Sequence, residues 1–150
     1  MNAPDGIRVE FFGDPSLAVP VKMDHIHDQV TDIPAIQAWY AKAFGGIPGN
    51  RLRVSTPGWV PCDYVPGTNL SFAETFPGSN AAVKPAGTKG RSLDHIGFDV
   101  TNLDEFAKKL EGQGIKLDVP IRQIPNSKTK IAFLTDPWGT YIELTENLAP

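Results

Sequence analysis

Two rhythms of apolar and polar residues organise this chain, and they occur in the same order twice. Residues 22–30 read as a strand. After it Ile33, Ile36, Tyr40, Ala43 and Phe44 recur at helical spacing. Thr31 or Asp32 is placed to cap that helix, Pro34 suits its first turn, and Gly45-Gly46 ends it. Strands are expected near 50–55, 59–64 and 69–75. In the second half another strand is followed by a helix with Leu103, Phe106, Ala107 and Leu110 on its buried stripe, and Asn102 stands three residues before Glu105 in a capping-box spacing. Gly112 and Gly114 stop this helix. Strands follow near 116–123, 130–135 and 140–146, the last two joined by the turn Asp136-Pro137-Trp138-Gly139.

The order strand, helix, three strands is therefore repeated. Met23-Asp24-His25-Ile26 aligns with Leu93-Asp94-His95-Ile96 at an offset of 70 residues, and Gly67-Thr68 aligns with Gly139-Thr140 at an offset of 72. The expected organisation is an N-terminal extension (1–21), a first βαβββ module (22–76), a Gly- and Pro-rich linker (77–92) and a second βαβββ module (93–150). The extension has no counterpart in the repeat. Its segment 7–12 is apolar enough for an edge strand or an assembly contact.

The repeat selects the candidate chemistry. His25 and His95 occupy equivalent positions on the two opening strands, and period-two geometry puts Tyr141, Glu143 and Thr145 on one face of the last strand. Two imidazoles and the Glu143 carboxylate form a set suited to one divalent metal, with coordination positions left open. A lone histidine in a strand is more often a core or surface residue, but matched repeat positions reverse that reading. Ser71, the repeat partner of Glu143, is a poor ligand. His27 shares the face of His25 and is a candidate proton donor or acceptor. Glu74 and Glu146 fall on the opposite face and read as solvated strand ends.

Composition narrows the class. The chain has 150 residues, 41% of them hydrophobic and 21% charged, which suits one packed domain and excludes disordered and fibrous classes. A net charge of −3 with scattered basic residues excludes a nucleic-acid or acidic-membrane footprint. The single Cys62 rules out an intramolecular disulfide framework. No apolar run is long enough to span a membrane and no export signal is visible, so a cytoplasmic protein is expected, or a periplasmic or secreted one if a signal peptide has been removed.

Over residues 22–148 the chain resembles the vicinal oxygen chelate superfamily, which includes glyoxalase I, methylmalonyl-CoA epimerase, fosfomycin-resistance and bleomycin-resistance proteins and extradiol dioxygenases. The resemblance rests on Leu93-Asp94-His95-Ile96-Gly97-Phe98 and on the segment from Asp136-Pro137-Trp138-Gly139 to Leu144. It implies an α+β, glyoxalase-like fold in which two tandem βαβββ modules form a U-shaped, eight-stranded mixed sheet around a metal. Relatives often use four ligands, one from each first and last strand. Ser71 at the fourth position departs from glyoxalase I and resembles the His-His-Glu sets of extradiol and fosfomycin-modifying enzymes.

The expected function is accordingly a divalent-metal enzyme whose ion (Fe, Mn, Ni, Co or Zn) is held by His25, His95 and Glu143. It would chelate neighbouring oxygens of a small substrate in dioxygenase-, lyase- or isomerase-type chemistry. His27 and Ser71 are the candidate catalytic groups, and Tyr64, Tyr141 and Trp138 the candidate substrate contacts, with Trp39 and Trp59 as further aromatic candidates. The alternative is a metal-free protein of the bleomycin-resistance type that sequesters an antibiotic or aromatic ligand. A homodimer is expected, because one amphipathic helix per module is too little to cover both faces of its sheet.

Overall fold

The computed structural model describes residues 1–52, 58–74 and 85–148, with the side chains of Leu52 and Glu74 left aside. The expected strand ends at 53–55 and 75, and linker residues 77–84, lie outside the described residues. Contacts divide the chain into two compact units, one holding 1–3 and 8–85, the other 4–7 and 86–150.

In the first unit β1 (His25–Val30), α1 (Ile33–Phe44), β2 (Ile47–Leu52), β3 (Trp59–Val65) and β4 (Thr68–Glu74) follow one another. They build a four-stranded mixed sheet in the order β1-β4-β3-β2, parallel between β1 and β4 and antiparallel elsewhere. The local signals in the sequence explain the helix. The Asp32 side chain accepts the Ala35 N–H at 2.9 Å, Pro34 lies in the first turn, and Gly45 ends the helix in the left-handed region at φ 71°. Ile36, Tyr40 and Ala43 are buried on its inner face, alongside Val30, Leu70 and Phe72 of the sheet.

The second unit repeats the plan with β5 (His95–Asp99), α2 (Leu103–Gly112), β6 (Val119–Gln123), β7 (Lys130–Thr135) and β8 (Tyr141–Glu146). Its sheet order is β5-β8-β7-β6, again with one parallel pair, β5 and β8. Asn102 Oδ1 accepts the Glu105 N–H at 3.1 Å, and Leu103, Ala107 and Leu110 are buried. The eight strands thus form two four-stranded sheets in a tandem βαβββ, α+β fold. Register reproduces both repeat offsets. His25 lies opposite Asn69 and His27 opposite Ser71, while His95 lies opposite Tyr141 and Gly97 opposite Glu143.

Several expectations are corrected. The opening strand starts at His25, not Lys22, because its partner β4 begins at Thr68 and leaves nothing to pair with residues 22 and 23; the Asp24 carbonyl takes the Asn69 N–H as the last rung. Residues 7–12 form no strand, and the sole ladder contact of the N-terminal segment among the described residues is the Asn2–Arg8 bridge, backed by paired bonds between Met1 and Val9. The end of the expected linker belongs to the second unit. Thr88 donates its N–H to the Gly139 carbonyl at 2.9 Å, and its hydroxyl receives the Tyr141 N–H at 2.8 Å. Gly139, at φ 100°, has no room for a side chain, since a Cβ would stand 2.8 Å from Gly87 Cα. Glu146 is no free strand end: it accepts the Leu103 N–H at 2.7 Å at the start of α2 and pairs with Lys130. None of the described helices is long and apolar enough to cross a membrane.

Candidate functional site

His25 and His95 each begin a strand, and each is preceded by an aspartate that binds its ring. Asp24 Oδ2 lies 2.7 Å from His25 Nδ1, and Asp94 Oδ1 lies 2.8 Å from His95 Nδ1. An ionised carboxylate only accepts, so the proton of each ring sits on Nδ1. The His95 imidazole, and after it the Gly90 N–H, hold the Asp94 carboxyl below the usual carboxylate range. This fixes the tautomer and leaves Nε2 of each neutral ring as a lone pair.

Each lone pair faces another acceptor. His95 Nε2 stands 3.4 Å from Glu143 Oε2, and His25 Nε2 stands 3.3 Å from Glu10 Oε2. A lone pair opposed to a carboxylate is repulsive unless a cation, either a proton or a metal ion, lies between them. Two donors each about 2.1 Å from one tetrahedral ion stand about 3.4 Å apart. Both pairs have that separation, so the donors fit a divalent ion, and imidazole with carboxylate suits Mn, Fe, Co, Ni and Zn alike.

The surroundings of the two pairs differ. His95 is flanked by Phe133 and Tyr141, which stack on each other at 4.9 Å and 12° and both present their planes at 89° to the imidazole. Lys89 Nζ lies 4.5 Å from the centre of the Tyr141 ring. In the first unit His27 joins the cluster, its ring 4.7 Å from that of His25 and its Nε2 3.5 Å from Glu10 Oε2. Ligand atoms of Glu10, His25 and His27 all lie within 4.8 Å of one another. Burial, then the neighbouring His25, lower the His27 pKa against the pull of Glu10. Burial also pushes the Glu10 carboxyl up, but His27, His25 and Arg8 outweigh it and leave it below its ordinary value.

Arg51 organises the rest of this face. Its Nε donates to Ser71 Oγ at 2.6 Å, its Nη2 lies 3.1 Å from His27 Nε2, and the Ser71 hydroxyl donates a hydrogen bond to Asn69 Oδ1 at 2.8 Å. A guanidinium has only hydrogens to give, so His27 Nε2 is the acceptor there. Ser71 is fully buried in this chain of bonds. Among the substrate candidates, Tyr141 is beside His95, Tyr64 donates its hydroxyl to the Asn50 carbonyl at 3.3 Å, and Trp138 forms part of the β7–β8 turn, its N–H on Asp136 at 2.9 Å. Trp39 is half-buried and packs on Tyr40 and Phe44 within α1, whereas Trp59 is exposed. Sequence reasoning missed Asp24, Asp94, Arg51 and Glu10. The aspartates were visible in the repeat; Glu10 carried no signal.

A twofold βαβββ plan with an Asp-oriented histidine opening each module defines the class of protein, and sequence comparison agrees. The family model of the Glyoxalase/Bleomycin resistance protein/Dioxygenase superfamily matches residues 22–144, and the chain belongs to that superfamily. No curated protein matches the chain in sequence. Among solved structures, a member of this superfamily from Sphaerobacter thermophilus DSM 20745 is similar with a TM-score of 0.66 and 19% identity, over 87% of this chain and 100% of that one. The genomically encoded fosfomycin resistance protein FosX from Listeria monocytogenes has a TM-score of 0.63 and 15% identity, over 86% and 95%. TioX from Micromonospora sp. ML1 has a TM-score of 0.61 and 18% identity, over 85% and 99%. At these identities the likeness concerns the fold.

Proposed function

We propose that this chain is a divalent-metal-dependent enzyme acting on a small organic substrate with two neighbouring oxygens, and that His25, His95 and Glu143 are its metal ligands. The observation that carries the reading is the repeated Asp-His arrangement, in which Nδ1 is committed and Nε2 is left for a metal in both units, together with Glu143 Oε2 at metal-ligand separation from His95 Nε2. A bound divalent ion supplies Lewis-acid polarisation of the substrate oxygens. The chain's own residues do the rest. Asp24 and Asp94 hold the imidazoles in place, and the stacked Phe133 and Tyr141 form an apolar wall beside His95. His27 is assigned proton transfer and Ser71 the orientation of Arg51, while Tyr64, Tyr141 and Trp138 are assigned to substrate contact.

Elemental analysis of protein purified without added metal tests the ligand set. One equivalent in the wild type, falling below a tenth in His95→Ala while circular dichroism keeps the fold, is the expected result; full occupancy in that variant contradicts it. An oxygen-uptake screen on catechols then separates dioxygenase chemistry from lyase or isomerase chemistry. The expected homodimer loses one support, since residues 7–12 form no strand, and rests on sheet area; light scattering at micromolar concentration reads it, a mass near 16 kDa with metal bound counting against it.

A further inference from the structure

We infer that Glu10, delivered by the N-terminal segment, is a metal-ligating carboxylate of the first unit and takes the role that Ser71 does not fill on β4. The inference rests on the reading that His25 is a ligand. It adds a residue from outside both βαβββ repeats.

Three observations carry it. Ser71 carries no charge, and its buried hydroxyl already accepts from Arg51 Nε and donates to Asn69 Oδ1. Glu10 Oε2, in contrast, faces two ring nitrogens at once, His25 Nε2 at 3.3 Å and His27 Nε2 at 3.5 Å. His25 Nε2 is a lone pair because Asp24 holds the Nδ1 proton, and His27 Nε2 is an acceptor because Arg51 Nη2 donates to it. With the neutral ring, His25 Nε2 and Glu10 Oε2 are two acceptors facing each other, His27 Nε2 stands beside them under the Arg51 guanidinium, and a cation between the first two relieves their repulsion.

The segment is also built to aim the carboxylate. Arg8 Nη2 pairs with the other oxygen, Oε1, at 3.6 Å, and the Phe12 ring lies 5.6 Å from that of His25, whose side chain is only 6% exposed. Paired main-chain bonds between Met1 and Val9 fix the residue just before Glu10. Arg51 then has a second role. Its guanidinium occupies the His27 lone pair, so His27 joins the ion only if Arg51 withdraws, and Glu10 with His25 forms the minimal pair.

Titration of metal-free protein with Co(II), followed by calorimetry and by the visible absorption of the bound ion, tests the inference on wild type, Glu10→Gln and His95→Ala. Glu10→Gln keeps the shape of the side chain and lies on the surface, so the fold is not at stake. The expected result is an affinity at least ten-fold weaker than wild type, together with a changed Co(II) spectrum that a merely structural role would not produce. Wild-type affinity and spectrum in Glu10→Gln overturn the inference, and if His95→Ala alone is weakened, the ligand set proposed above stands without Glu10. If Glu10→Gln is weakened and His95→Ala is not, Glu10 is a ligand and the proposed set falls. A wild type that takes up no Co(II) overturns both.

Discussion

The two units share a strand order and a register, yet they place charge differently around the same histidine. In the second unit the carboxylate that faces the imidazole comes from the sheet itself, as Glu143 two residues into β8. In the first unit the equivalent sheet position is Ser71, tied to Arg51, and the carboxylate comes from Glu10, fifteen residues before His25 in the chain. His27 likewise stands where the second unit has Gly97, and a Cβ added there would have clear space 4.0 Å from Glu143 Oε2. The lesson is that a repeat preserves backbone geometry while the chemistry placed on it diverges residue by residue.

The aspartates offer the largest expected effect with which to break this comparison. If both rings are held alike, Asp24→Asn and Asp94→Asn should each weaken metal binding by roughly 10- to 100-fold, because an amide no longer selects the Nδ1–H tautomer. Calorimetry on both variants reads the effect, and a loss confined to one would mean the two histidines are not equivalent in function. Gly97→His, which gives the second unit the first unit's second imidazole, should act more weakly, tightening Co(II) binding a few-fold.

The smallest effect concerns stability. Asp63 lies opposite Leu70 on β3, the position that Leu134 fills opposite Ile142 in the second unit. It is fully buried, and neither carboxylate oxygen has a hydrogen-bond partner among the described residues. Burial pushes its pKa up to about 6 against a partial opposing pull from Gln37, whose amide nitrogen donates to the Gly49 and Cys62 carbonyls. The folded pKa exceeds the unfolded value, so the folded state favours the protonated acid. The resulting penalty is absent below about pH 4, grows as pH rises through about 6, and is constant above. Asp63→Asn should therefore raise stability at pH 7.5 by on the order of 2 kcal/mol, with the gain gone below about pH 4. Urea melts at the two pH values check this, and a gain independent of pH would assign it to packing instead.

Most of the fold was legible because its signals are local. The Asp32 and Asn102 caps, the Gly45 stop and the apolar stripes at helical spacing each act within a few residues, and the offsets of 70 and 72 carried the register. The strand starts were less legible because they depend on where the partner begins. That error hid the role of Asp24. A strand running from Lys22 turns Asp24 to the face opposite His25, whereas a strand opening at His25 leaves Asp24 outside the pleat, free to fold onto the ring. Glu10 was illegible for a different reason: it has no repeat partner, and its contact arises from tertiary placement of a segment without regular structure.

The measurement closest to the central claim is long-range proton–nitrogen NMR of the three imidazoles, recorded above pH 8 on metal-free protein and again after one equivalent of Zn(II). The account predicts that His25 and His95 both carry their proton on Nδ1 before zinc is added, and that both Nε2 resonances move to metal-bound positions afterwards. An Nε2-protonated ring at either residue, or Nε2 signals that zinc leaves in place, would contradict it.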